Sequence, residues 1–311
     1  MLPKVRPEID AILGEVIAAR RDFHRFPELG FEEVRTSDKV VEFLRSIGLE
    51  PQTGIAKTGV SALIEGQAEG PTILLRADMD ALPIQEESGL EFSSQVEGKM
   101  HACGHDFHTA ILMGTARLLQ GMRSRLKGRI KLVFQPAEEG PGGAFPMIEE
   151  GILENPKVDY ALGLHLWSTM PCGQVAIQPG PVMAAADTFQ VIIHGRGGHA
   201  AYPHECADPI AAAAGLIGAL QTVVSRRTNP FDTAVVSVTQ IHGGSADNVI
   251  PETVEFSGTI RSFEPRVRDH LVSQMEQIIA DFSRAYGVRS EFHFREGYPS
   301  LVNHPVDRKS V

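Results

Sequence analysis

The chain has 311 residues, 42% of them hydrophobic and 22% charged, which is enough for two domains with cores of their own. A formal net charge of −10 excludes nucleic acid and anionic membrane as principal partners, because both select basic surfaces. The first 31 residues interleave charges with single apolar residues and hold no signal-peptide core, no run reaches the ~20 apolar residues of a membrane span, and three cysteines (Cys103, Cys172, Cys206) suit reduced thiols in the cytoplasm.

Ile9, Ile12, Leu13, Val16 and Ile17 recur at helical spacing and predict an amphipathic opening helix. A second helix is predicted over 37–47, stopped by Gly48. Strands are expected over 60–64, 72–75, 130–134 and 160–166, with a helix over 108–119. This alternation predicts an α/β domain with a largely buried sheet. Asp78, Asp80, Glu138, Glu139 and His165 fall at or just beyond strand ends, where ligand sites gather in open α/β sheets. Pro179-Gly180-Pro181 reads as a hinge. After it come a strand over 189–194, a helix from Asp208-Pro209 to about Val224, and strands over 234–241 and 253–260. A helical stripe over 267–282 and a strand over 289–295 complete the series. The sum, β-α-β-β-α-β, is the pattern of a ferredoxin-like α+β sandwich. The expected boundaries are a catalytic domain over 1–183, to which 298–311 returns, and a small domain over 184–297.

Two segments carry the chemistry. His101-Ala-Cys103-Gly-His105-Asp106-Phe-His108 concentrates a thiol, three imidazoles and a carboxylate within eight residues. Cys103 and His105, two apart, cannot share a helix face, but a turn at Gly104 can aim both at one point. Glu138-Glu139 follows an apolar strand and precedes a glycine-rich turn. One carboxylate on a metal leaves its neighbour to act as general base, so the set points to metal-assisted hydrolysis. Asp78 and Asp80 point the same way from a strand end. Gly195-Arg-Gly-Gly-His-Ala200 superficially fits a dinucleotide fingerprint, but His199 and Pro203 interrupt the helix start and no acidic residue follows for a ribose.

Taken together these residues resemble the aminoacylase/carboxypeptidase-like metallo-amidohydrolases, in the branch of hippurate hydrolases and indole-acetyl-amino-acid hydrolases. The matching segments are His24-Arg-Phe-Pro-Glu-Leu-Gly-Phe-Glu-Glu33, Leu75-Arg-Ala-Asp-Met-Asp-Ala-Leu-Pro83, Met100 to His108, Phe134-Gln-Pro-Ala-Glu-Glu-Gly140, Gly163-Leu-His165, Gly195 to Ala200, Asn248-Val-Ile-Pro-Glu252 and Gly258-Thr-Ile-Arg261. The resemblance implies a two-domain metallopeptidase-like catalytic fold with an inserted ferredoxin-like dimerisation domain. It implies two divalent metal ions (Zn, Mn, Co or Ni) on Cys103, His105, Glu139 and His165. It makes Glu138 the general base, Asp80 the acid that orients a ligand, and His199, Asn248 and Arg261 the substrate-binding residues. The implied substrate is a small N-acyl amino acid, and the implied assembly is a homodimer in which a histidine like His199 completes the neighbouring subunit's site.

Family members run on past this chain's end into a segment with a Ser-Glu-Asp-Phe-like motif and a final histidine ligand, so the resemblance also implies an incomplete first domain. The competing class is a truncated relative that dimerises, binds metal weakly and does not catalyse. A thiol hydrolase using Cys103 and His105 lacks an orienting glutamine or asparagine motif.

Overall fold

The computed structural model describes residues 7–140 and 142–304. The chain divides into two compact units, Met1–Gln174 and Val175–Val311. Of the segment 298–311, expected to return to the first domain, residues 305–311 lie outside the described residues.

The first unit runs α1 (Pro7–Arg25), α2 (Val34–Ser46), β1 (Gln52–Ile55), β2 (Gly59–Glu65), β3 (Ala68–Asp78), α3 (His105–Gly121), β4 (Lys127–Gln135), α4 (Ala144–Glu149) and β5 (Tyr160–Gly163). Its sheet has the order β1-β2-β4-β3-β5. Strands β4, β3 and β5 are parallel, while β1 and β2 are antiparallel additions. The expected alternation is therefore present, in a mixed sheet. Phe23, Val40, Leu44, Val60, Ile64, Met79, Met113, Leu132 and Phe134 form the core that α1, α2 and α3 share with the sheet. Met147 of α4 packs with Leu74, Val133 and Ile152 in a separate cluster. The opening helix buries less of its stripe than its periodicity predicts: Ile9, Leu13 and Ile17 stay exposed. It approaches α3 at Gly114, where an added Cβ would lie 2.7 Å from Val16 and 3.5 Å from Ile12.

Three parallel strands end at the same edge. Asp78 closes β3, Gln135 closes β4 a few residues before Glu138, and Gly163 closes β5 two residues before His165. The N-terminus of α3 opens at that edge with His105. Strand polarity alone thus brings four distant segments together.

The second unit contains β6 (Gly180–Met183), β7 (Ala186–His194), β8 (Gly198–His199), α5 (Pro209–Arg227), β9 (Ala234–Gly243), β10 (Val249–Ile250), β11 (Thr253–Ser262), α6 (Pro265–Tyr286), β12 (Arg289–Tyr298) and β13 (Leu301–Asn303). The order β12-β7-β11-β9, antiparallel throughout, with two helices against one face, is the expected ferredoxin-like sandwich. Asp208 caps α5, accepting the Ile210 and Ala211 amides ahead of Pro209 at the first turn. By length and composition α5 is apolar enough to cross a membrane, against the expectation that no stretch comes near one. It is a core helix, with Ala212, Ala213, Leu216, Leu220 and Val223 buried against the sheet. The segment expected to be a hinge is strand β6, paired antiparallel with β13.

Candidate metal centre

His105 is the hub. It is fully buried. Its Nδ1 faces only acceptors, the Asp80 carbonyl oxygen at 2.9 Å and Asp80 Oδ1 at 3.2 Å. A proton therefore sits on Nδ1, and loss of the second proton, which a bound cation requires, would free the Nε2 lone pair on the inward side. That Nε2 has no hydrogen-bond partner. Around it stand Asp78 Oδ2 at 3.6 Å, Glu139 Oε1 at 3.8 Å and Glu138 Oε2 at 3.9 Å. These distances are too long for hydrogen bonds. They suit ligand atoms arranged around a common ion, since two donors each ~2.1 Å from a tetrahedral metal lie roughly 3.4 Å apart.

His165 is prepared in the same way. Its Nδ1 donates to the Leu166 carbonyl at 2.6 Å, and its Nε2 lies 3.4 Å from Cys103 Sγ. Three groups bring their donor atoms within 4.8 Å of one another: Cys103, His105 and His165; His105, Glu138 and Glu139; and Asp78, His105 and His108. Thiolate, imidazole and carboxylate donors around an orphaned buried nitrogen fit divalent metal.

Electrostatics follow from the crowding. Burial pushes the His105 pKa down, but the Asp80 hydrogen bond, Cys103 and the charges of Asp78 and Asp80 outweigh it, to about 11 in the metal-free protein. Burial raises the Glu138 carboxyl, and its acidic neighbours Asp78 and Glu139 add to that shift. The neighbouring imidazoles of His105 and His165 lower the Cys103 thiol below its usual range. A dense set of like charges that must share a few protons is what a cation relieves.

Three residues outside the expected ligands, base and substrate-binding residues also build the constellation. Asp78 and His108, both buried, are hydrogen-bonded to each other at 2.6 Å. Glu33, fully buried, accepts the Ala137 amide at 2.8 Å and the Thr58 hydroxyl at 2.6 Å, and so clamps the turn that carries Glu138 and Glu139. Its signal was its place at the end of the His24–Glu33 motif. Asp80 couples two segments: Oδ1 faces His105 and Oδ2 accepts the Glu139 amide at 2.9 Å. His101 is buried with neither ring nitrogen bonded, and burial depresses its pKa to about 4.

The other candidates lie in the second unit. His199 on β8 is opposite Val249 of β10, and the Ala200 amide donates to the Asn248 carbonyl at 3.0 Å. The ladder therefore brings His199 and Asn248 together. Arg261 sits on β11, its Nη1 bonded to Thr259 Oγ1 and, at 3.0 Å, to the Ile260 carbonyl. It lines a shallow basin of about 570 Å³ on the open face of the sheet with Thr188, Gln190, His293 and Arg295.

Residues 74–306 match the profile of peptidase family M20/M25/M40. An N-acetyl-L-cysteine deacetylase of Bacillus subtilis is 45% identical over 289 residues, 93% of this chain and 69% of the relative. An N-acyl-L-amino acid amidohydrolase of Geobacillus stearothermophilus is 43% identical over 97% of this chain and 81% of the relative. Among solved structures, the Bacillus subtilis YXEP protein, described as a dinuclear metal-binding peptidase of the M20 family, superposes with a TM-score of 0.81 at 40% identity, covering 96% of this chain and 77% of its own. With the strand-end constellation already in place, these similarities lead to one conclusion: the chain belongs to peptidase family M20/M25/M40 and is a hydrolase of that family.

Proposed function

We propose that the chain hydrolyses the amide bond of N-acyl amino acids of the hippurate or N-acetyl type, releasing a carboxylic acid and an amino acid. Cys103, His105, Glu139 and His165 hold two divalent ions, and Asp80 keeps His105 in the tautomer that ligation requires. Bound metal supplies Lewis acidity, polarising the scissile carbonyl and lowering the pKa of a water. Glu138 takes the proton of that water as its oxygen bonds to the carbonyl carbon. It then passes the proton to the nitrogen as the carbon–nitrogen bond breaks. Burial raises the proton affinity of Glu138, which suits a group that must hold a proton and hand it on.

For substrate binding we propose His199, Asn248 and Arg261. Nη1 of Arg261 is tied to its own strand, which fixes the guanidinium plane and leaves Nη2 and Nε for a carboxylate. We further propose a homodimer formed through the second unit, whose sheet ends in edge strand β9, and a cytoplasmic location, in keeping with the unpaired Cys103, Cys172 and Cys206.

The observation that carries the reading is the buried, unpartnered His105 Nε2 among Asp78, Glu138 and Glu139. Dialysis against a chelator is expected to abolish cleavage of N-acetyl and N-benzoyl amino acids, and added Mn²⁺, Co²⁺ or Zn²⁺ to restore it. Full activity in protein shown to be metal-free by elemental analysis would refute the reading.

A further inference from the structure

Hydrogen bonding divides the three histidines of the centre into two kinds. His105 and His165 give away the Nδ1 proton and turn Nε2 inward. His108 spends both nitrogens. Its Nδ1 donates to Asp78 Oδ1 at 2.6 Å, and its Nε2 accepts the Leu166 amide at 3.0 Å. Only the neutral Nδ1–H tautomer satisfies both bonds.

The support behind His108 continues outward. Arg76 Nη1 donates to Asp78 Oδ2 at 2.7 Å, and Arg76 Nε to Gln135 Oε1 at 2.9 Å. The Thr109 hydroxyl donates to the Asp78 carbonyl at 2.8 Å. On the other side, the Leu166 peptide is used at both ends: its N–H reaches His108 and its carbonyl receives His165 Nδ1. Segment 164–167 lies beyond β5, outside any strand or helix, with exposed side chains. A buried imidazole thus anchors an otherwise irregular segment one residue from His165.

We infer that His108, keyed by Asp78, is a positioning residue that sets His165 through the Leu166 peptide and is not itself a metal ligand. The inference rests on reading His165 as a ligand. Asp78, His105 and His108 also lie close enough to share an ion. Recruiting His108, however, would take Nε2 from the Leu166 amide or Nδ1 from Asp78. His105 Nε2 has no such prior engagement.

The test is Co²⁺ titration of the metal-free full chain, following thiolate-to-cobalt absorption, for wild type, His108→Leu, His108→Gln and His108→Asn. Glutamine reaches the Leu166 amide with a side-chain oxygen; asparagine is too short. His108→Leu and His108→Asn are expected to keep the wild-type cobalt stoichiometry but bind roughly 10–100-fold more weakly, the usual effect of losing a support behind a metal ligand. His108→Gln is expected to recover most of that loss. The asparagine–glutamine comparison stands even if the leucine variant does not fold. Wild-type affinity in the asparagine variant would overturn the inference. So would loss of a whole cobalt equivalent that glutamine does not restore, since that marks a ligand. A wild-type chain without thiolate-to-cobalt absorption would instead overturn the reading of Cys103 as the ligand that shares an ion with His165, on which this inference rests.

Discussion

Glu138 and Glu139 are chain neighbours whose surroundings differ. The Glu139 amide is fixed by Asp80 Oδ2, which ties it to the bracket that also orients His105. Glu138 feels burial first, then the opposing pull of Arg76 and the push of Asp78 and Glu139. If Glu138 is the base and Glu139 a ligand, removing each charge has a different signature. Glu138→Gln is expected to retain bound metal and to lower kcat by at least ~10²-fold, within the range for losing a general base. Glu139→Gln is expected to lose metal as well. Elemental analysis of both variants beside steady-state kinetics separates the roles, and equal metal loss would abolish the distinction. Glu33 acts one layer further out. Glu33→Gln is expected to loosen the 137–139 turn, because an amide cannot accept both the Ala137 N–H and the Thr58 hydroxyl as a carboxylate does. A lowered melting temperature together with weaker metal binding is the expected pair of results; weaker binding with unchanged stability would contradict a clamp.

At the level of elements, the junction into α3 concentrates the geometry. Gly104 precedes the helix with φ of 89°, a left-handed conformation that lets Cys103 turn back while His105 enters the first turn. A Cβ there would lie 3.0 Å from Leu166 Cδ1. Gly104→Ala is expected to cost about 1–2 kcal/mol from the backbone alone, read by denaturant unfolding, and to weaken metal binding as Leu166 is displaced. Unchanged stability would mean that the junction relaxes to another conformation. The turn at Gly104 was legible in the sequence, because no helix can aim residues two apart at one point. So were the main sheets: apolar runs bounded by turn residues locate β2, β3, β4 and β5, and the β-α-β-β-α-β order of the second unit reads directly from its stripes. Long-range partners were not legible. Glu33 meets Ala137 across 104 residues, and His108 meets the Leu166 peptide across 58, and no local pattern encodes which buried acid faces which amide. The β8–β10 ladder that joins His199 to Asn248 was hidden for the same reason, being two residues long. The β6 strand was read as a hinge because proline and glycine dominate it, and only its pairing with β13 overrides that composition.

Across the whole molecule, each unit carries a sheet edge with apolar side chains in water. In the first unit β5 is an edge strand whose four residues are all exposed, and Tyr160 and Leu162 on it, with Leu164 and Trp167 just beyond it, are exposed apolar residues. In the second, β9 is one of the two edge strands, with Val235 and Ile241 exposed along it and Phe231 almost fully exposed just before it. An unpaired strand edge offers a row of amides and carbonyls, and apolar residues on it add a driving force for pairing. The two edges predict different association. If the homodimer forms through the second unit, Ile241→Lys places a charge at the pairing strand and is expected to weaken the dimer at least ~10-fold, about 1.4 kcal/mol. Tyr160→Lys is expected to leave that equilibrium unchanged while reducing slower, concentration-dependent aggregation through the β5 edge, as gatekeeper charges do. Sedimentation velocity over a range of concentrations resolves both species in one experiment. A dimer that survives Ile241→Lys and dissociates with Tyr160→Lys would transfer the interface to the first unit and refute the proposed assembly.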